Sequence, residues 1–194
     1  MIIVLGRPSI EDGPIGPLPA GIGATIAIAI AAVGGRVELV GTLGDDAPGD
    51  AVAIALARAG VGHAALLRVP GTTTPRGGTT DMPARLDAAD VELGLRYLTD
   101  YRVLIVADPV PTDVLAIAVD AAAYAGASLV VVVGHGERPM ATIGSAATVL
   151  EAPDDALGPF AVAVAGYALA IEAGTDPAIA LQGAVEAAGW EPVA

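Results

Sequence analysis

The chain is 194 residues long, with no Cys, no Lys and no Asn, two His, three Ser and a formal net charge of −13 at pH 7. Those absences exclude thiol nucleophiles, zinc–thiolate centres and disulfides, and equally Schiff-base lysines and Lys-dependent phosphate loops. A surface this acidic, with a pI near 4.2, repels phosphate backbones and argues against a nucleic-acid partner.

Hydrophobic residues make up 54 % of the chain and aromatics only 3 %, so the core must be built from Ala, Val, Ile and Leu. The length suits one domain over residues 1–194. Met1-Ile-Ile-Val-Leu-Gly6 lacks the basic start of a secretory leader. The uncharged stretches 20–35 and 156–171 fall short of the roughly 20 apolar residues that span a bilayer. Gly21, Gly23, Gly158 and Pro159 interrupt them further. The expectation is a cytoplasmic protein with no membrane partner.

In chain order, Ile2–Leu5 is a short apolar run of buried-strand type, followed by a Pro/Gly-rich loop over residues 7–21. Residues 22–33 are expected as a helix, although Ile26, Ile28 and Ile30 alternate with Ala as in a strand. Ala content and the Gly34-Gly35 stop favour the helix. A strand at 37–40 leads into a Gly41–Gly49 turn. A helix at 49–59 follows, with Gly60 placed to cap it. Next come an edge-like strand at 65–69, a Thr/Gly/Pro-rich region at 70–83, a helix at 88–98 and a strand at 102–107. Residues 113–124 form a helix with Thr112 as its expected N-cap. Ser128–Val133 is rich in β-branched residues and reads as an internal parallel strand. After a further strand at 148–151, helices at 159–173 and 177–188 finish the chain. They open on Pro159 and Pro177 and are stopped by Gly174 and Gly189.

This alternation predicts an α/β fold: a three-layer, doubly wound, mostly parallel sheet with helices on both faces. Ligands of such sheets bind beyond the C-terminal ends of the strands. Glu11, Asp12, Asp45, Asp46, Asp108, His135 and Glu137 all follow strands there.

Two motifs combine. Ala20-Gly21-Ile22-Gly23-Ala24-Thr25 opens the first helix, and Gly44-Asp45-Asp46-Ala47-Pro48-Gly49 follows the next strand. Together with Gly34 they resemble the N-terminal signature of the ribokinase-like (PfkB) carbohydrate kinases. The resemblance implies a substrate site of Asp12 (or Glu11), Gly21, Gly23, Thr25 and Asp45, with Asp108 and His135 as further candidates. Carboxylates accept hydrogen bonds from hydroxyls, and glycines let the backbone approach a ring. Thr25 stands where the family has Asn.

Other departures concern the chemistry. In Asp155-Ala-Leu-Gly158-Pro-Phe160, Gly158 occupies the position of the family's catalytic Asp, so no catalytic residue is assigned. The family's N-x-x-E cannot exist in a chain without Asn. Residues 148–155 look like a remnant of its strand and loop. The interval 11–19 looks too short for the family's lid strands. The shortfall from the family's usual length is on the order of a hundred residues, more than loop trimming explains. Phosphoryl transfer rests on positioning and charge neutralisation, and these losses remove both. The chain is thus identified as a truncated, degenerate member without a lid, a pseudoenzyme that binds a sugar, polyol or nucleoside or serves assembly. The alternatives are a kinase completed by a partner subunit, which alone would require ATP and Mg²⁺, and a purely structural subunit.

Other motifs carry less. Gly21-x-Gly23 lacks the third glycine of a dinucleotide fingerprint, having Ile26 there. Asp45-Asp46 suits either a divalent cation or, more simply, an Asp-rich turn before a helix; no metal site is assigned. His135, in Gly134-His-Gly136, is either an acid/base group or a solvated loop residue, and His63 has no partner nearby in sequence. Ser9, Ser128 and Ser145 match no nucleophile elbow. The apolar run from Phe160 to Ile171 is core or interface. Because the chain is so apolar, a homodimer is expected, through the helix at 159–173 and the sheet edge near 148–151.

Overall fold

The computed structural model describes residues 1–14, 16–77, 82–137, 143, 147–153 and 157–187. Gly189, Ser145 and Asp155, each weighed above, lie outside the described residues.

All side chains of strand β1 (Ile2–Leu5) are buried, as a strand covered on both faces requires. β1 pairs in parallel with β4 (Val37–Gly44) on one side and β6 (Val103–Val106) on the other. β5 (Leu66–Val69) extends the sheet beyond β4. β7 (Ser128–Val133) and β8 (Ala147–Glu151) extend it beyond β6, giving the order β5-β4-β1-β6-β7-β8, parallel throughout.

Alternation along the strands feeds two cores. Ile2, Val4, Leu39 and Ile105 face helices α1 (Ile22–Ala32), α2 (Ala47–Arg58), α5 (Leu157–Glu172) and α6 (Pro177–Ala187). Ile3, Leu5, Leu104 and Val106 face α3 (Ala88–Tyr97) and α4 (Thr112–Ala125). The three-layer parallel α/β fold expected from the alternation is what forms.

Ile26 and Ile30 are fully buried on one face of α1, so the alternating Ile/Ala run is helical. Gly34 ends the helix at φ +85, and Gly35 N–H returns to the Ile30 carbonyl at 2.9 Å. Thr112 does not cap α4 from outside: it lies within the first turn, Pro111 takes the cap position, and Asp113 Oδ1 accepts from Val114 N–H at 2.9 Å. β4 is longer than expected, because the turn read from Gly41 onward continues as strand to Gly44.

Two larger corrections concern tertiary placement. The interval at 11–19 was expected to hold no lid. It forms an antiparallel hairpin of β2 (Ser9–Gly13) and β3 (Gly16–Ala20), a separate two-stranded sheet that packs on α2. α5 was expected as an exposed patch. It is instead sandwiched between α1 and α6 against the sheet, with Phe160, Ala161, Ala163, Val164, Ala165, Tyr167 and Ala168 buried. Small residues on α1 and α5 let the two helices close without large aromatics, which is how a chain so poor in rings fills its core. Glu172, the one charge of α5, pairs with the amino group of Met1.

Candidate functional site

Because every strand of the large sheet is parallel, the ends of β1, β4, β6, β7 and β8 share one edge, and α1 and α5 begin there. Register aligns Leu5 with Val106, Val106 with Val131, and Val133 with Glu151.

Asp108, two residues past β6, is the most enclosed carboxylate at this edge. Its Oδ2 accepts from Arg7 N–H at 2.8 Å. A Cβ on Gly6 would lie 2.7 Å from that oxygen, and one on Gly23 would lie 3.1 Å away. Gly6 and Gly23 are thus bare because Asp108 fills the space between β1 and the first turn of α1. Burial pushes the Asp108 carboxyl above the usual range, and the Arg7 N–H, the Arg7 charge and the Gly23 N–H offset this only in part.

Gly21 is the N-cap of α1 at φ +91, a conformation that favours glycine. The Thr25 hydroxyl donates back to the Gly21 carbonyl at 2.9 Å. The structure therefore brings Gly21, Gly23, Thr25 and Asp108 together.

Asp46 has a structural task. As N-cap of α2, its Oδ1 accepts from Gly49 N–H at 2.9 Å and from the Thr74 hydroxyl at 2.7 Å, and its Oδ2 accepts from Thr74 N–H at 2.9 Å. Burial alone would raise its pKa. The bonds from Thr74 and Gly49 and the charge of Arg68 outweigh that and hold it below the usual carboxylate range. Gly44 N–H donates to Thr74 Oγ1 at 3.0 Å, and Arg68 Nη1 donates to the Gly44 carbonyl at 2.7 Å. The Gly-Asp-Asp-x-x-Gly turn is thus a clamp joining β4, α2 and the 72–76 segment. Asp45, beside it, is exposed at the strand end.

Asp12 is placed differently. Ser9 lies beside Gly21, since a Cβ on Gly21 would come 3.7 Å from Ser9 Oγ. Asp12 is three residues further out along β2, roughly 10 Å at strand rise, where it pairs with Arg76 Nη1 at 2.5 Å. The structure does not bring Asp12 to the glycine loop. His135 is exposed past β7, with Nδ1 2.9 Å from Glu151 Oε1. That oxygen also accepts from Gly136 N–H at 2.8 Å, tying the loop to β8.

Gly158 lies exposed in the first turn of α5, and a Cβ there would meet nothing within 4 Å. Among the described residues, no group of three or more His, Asp or Glu is arranged to hold a metal ion. Also among them, no helix is long and apolar enough to cross a membrane. Sequence reasoning missed Gly6, Arg7, Arg68, Thr74 and Arg76. Only the position of Gly6 directly after an apolar strand hinted at a close backbone approach.

No protein-family model matches this chain, and no curated protein sequence does. Solved structures do. Ribokinase from Thermotoga maritima superposes with a TM-score of 0.72 at 14 % identity, over 97 % of this chain and 91 % of that one. Arabidopsis thaliana ribokinase complexed with ribose and ATP gives 0.69 at 16 % identity, over 96 % and 90 %. The tetrameric inhibited form of phosphofructokinase-2 from Escherichia coli gives 0.68 at 16 % identity, over 96 % and 92 %. This chain has the fold of the ribokinase-like carbohydrate kinases.

Proposed function

We propose that the protein is a single-domain, ribokinase-fold binder of a small polyol or nucleoside that does not itself transfer phosphate. The observation that carries this reading is the pairing of a furnished floor with an empty catalytic position. Asp108 and the Gly21–Thr25 loop offer a carboxylate and close backbone for hydroxyl groups, with Asp45 exposed at the neighbouring strand end. At the mouth of α5, Gly158 has no side chain to take a proton from a hydroxyl nucleophile. The β2–β3 hairpin is short and Asp12 is engaged by Arg76, so water is poorly excluded and binding is weak. One solved structure of the same fold carries ribose, which supports the ligand class.

Thermal shift with ribose, other pentoses, hexoses and nucleosides, run beside an ADP-release assay with ATP and Mg²⁺, tests this. A ligand-dependent rise in Tm that Asp108→Asn diminishes, without ADP release, is the expected outcome. Sustained ADP release abolished by Asp108→Asn would establish the kinase alternative. No shift with any compound would leave a structural subunit.

We also assign a two-fold dimer to the edge of β8, which pairs only with β7 among the described residues. Val149 on that strand and Val162 and Leu181 on α5 and α6 are exposed, and an unpaired strand edge invites a second chain. The tetrameric phosphofructokinase-2 of the same fold lends support.

A further inference from the structure

Among the described residues the buried polar side chains are Ser9, 7 % exposed, Thr42 and Thr74. The two threonines are accounted for. Thr42 Oγ1 donates to the Ala84 carbonyl at 3.4 Å. Thr74 Oγ1 donates to Asp46 Oδ1 at 2.7 Å and accepts from Gly44 N–H at 3.0 Å. The Ser9 hydroxyl has no hydrogen-bond partner among the described residues. No wholly enclosed side-chain polar atom is unpaired among them, so the sliver of Ser9 that reaches the surface includes its hydroxyl. A buried hydroxyl without a partner costs stability, and an alanine would fill the same place without that cost.

The hydroxyl is held in position without a ligand. Ser9 opens β2 opposite Ala20. The next residue, Ile10, is buried in the core. Its N–H donates to the Pro75 carbonyl at 2.9 Å, and its carbonyl accepts from Gly77 N–H at 3.0 Å. β2 is thus fixed on both edges, by β3 and by the segment 75–77. Ser9 Oγ stands 3.7 Å from where a side chain on Gly21 would begin, at the cap of the helix whose Gly23 adjoins Asp108. Arg7, whose N–H reaches Asp108, is two residues away, at most about 7 Å of extended chain. Hydroxyl and carboxyl therefore flank the same glycine loop, at a separation that a small polyol bridges.

We infer that Ser9 is a binding residue of this site, contacting the ligand where Asp12, held away by Arg76, does not. The inference rests on the reading of this edge as a polyol site, and it narrows the ligand. A carboxylate only accepts, whereas a serine presents one hydroxyl that donates and accepts. The group that meets Ser9 is therefore a single hydroxyl or ring oxygen, while Asp108 takes a neighbouring hydroxyl. A polar group kept rigid and unsatisfied until the ligand arrives trades stability for binding.

That trade gives the test two readouts of opposite sign. Ser9→Ala should raise the Tm of the free protein by about 2 °C, because the unpaired hydroxyl is gone. Thr74→Val, which removes a bonded hydroxyl, should lower it in the same scan. Calorimetric titration with ribose, ribitol and adenosine should show the wild type binding at least one of them, and Ser9→Ala binding it about three- to tenfold more weakly. A hydroxyl that serves packing or an ordered water would give a Tm that is unchanged or lower on removal, and that result overturns the assignment. Equal affinity of the variant and the wild type overturns it too, and leaves the polyol reading standing. If the wild type binds none of the three, the polyol reading falls and the assignment falls with it.

Discussion

At the residue scale, Gly158 and the two partly buried aspartates make opposite demands on substitution. A Cβ at Gly158 meets nothing within 4 Å, and the position lies in the first turn of α5. Gly158→Asp should therefore fold normally, with Tm unchanged or slightly raised, because a carboxylate suits a helix N-terminus. A drop of several degrees in a calorimetric scan would contradict this.

Asp46 and Asp108 are distinguished by pH. Asp46 is held below its unfolded value near 3.8, so its contribution is present above that pH and is lost as pH falls through the folded value. Asp46→Ala should cost about 1–2 kcal/mol at neutral pH, as expected for an N-cap, and less in acid. Asp108 is raised above 3.8, so the folded state is favoured by its protonation, and that contribution is lost as pH rises through the folded value. Asp108→Asn should raise Tm at pH 7 by about 2–4 °C, with the gain vanishing as pH approaches 4. Denaturant melts of both variants across pH 4–8 check the two signs together, and parallel profiles would refute the assignment.

At the element scale, what the sequence reveals depends on how burial is distributed. β1 and β7 were legible because strands covered on both faces are continuous apolar runs. α1 and α2 were legible from their glycine stops at positive φ. The end of β4 was not, because Gly41 and Gly44 are poor strand formers. They are there because backbones crowd: a side chain at Gly41 would overlap the Gly6 carbonyl, and one at Gly44 would lie 2.5 Å from Thr74 N. Gly44→Ala should accordingly destabilise by about 2 kcal/mol or more, measurable as a lowered urea midpoint.

The hairpin was hidden by Pro14, Pro17 and Pro19, which read as loop but are tolerated in short edge strands. In the site, the glycine loop and Asp108 were recoverable from position after strands. The clamp of Asp46 on Thr74 and the diversion of Asp12 to Arg76 were not, since both depend on a segment some 30 or 60 residues away: |i−j| is 28 for the first and 64 for the second. The apolar length of α5 looked like an interface only because its partners, α1 and α6, cannot be read from its own pattern.

At the scale of the whole molecule, composition sets the surface, and the proposed dimer rests on one edge. A net charge of −13 on 194 residues opposes self-association at low salt, while the β8 edge, unpaired among the described residues, would promote it. Light scattering should give about twice the 19.0 kDa chain mass at physiological salt, falling toward the monomer as salt is removed. Val149→Glu, which places a charge on that edge, should give a monomer of unchanged Tm. A mass of one chain at all salts and concentrations would exclude the dimer.

The sheet order also dictates a schedule for synthesis. Of the six strands of the large sheet, β1 is made first and ends in the interior, bonded to β4 on one flank and to β6 on the other. Its first neighbour is complete by Gly44, so β1, β4 and β5 can associate early. The opposite flank of Ile2–Leu5, fully apolar, stays open until Val103–Val106 has been made. Between the synthesis of β4 and that of β6 the nascent chain therefore carries an unpaired hydrophobic edge, the kind of surface that chaperones cover and that aggregates when they do not. Pairings so distant in sequence also slow refolding. The acidic excess of the finished surface comes too late to help: residues 1–106 carry eleven acidic and eight basic side chains, and the other eleven acidic ones are made only after that edge has closed.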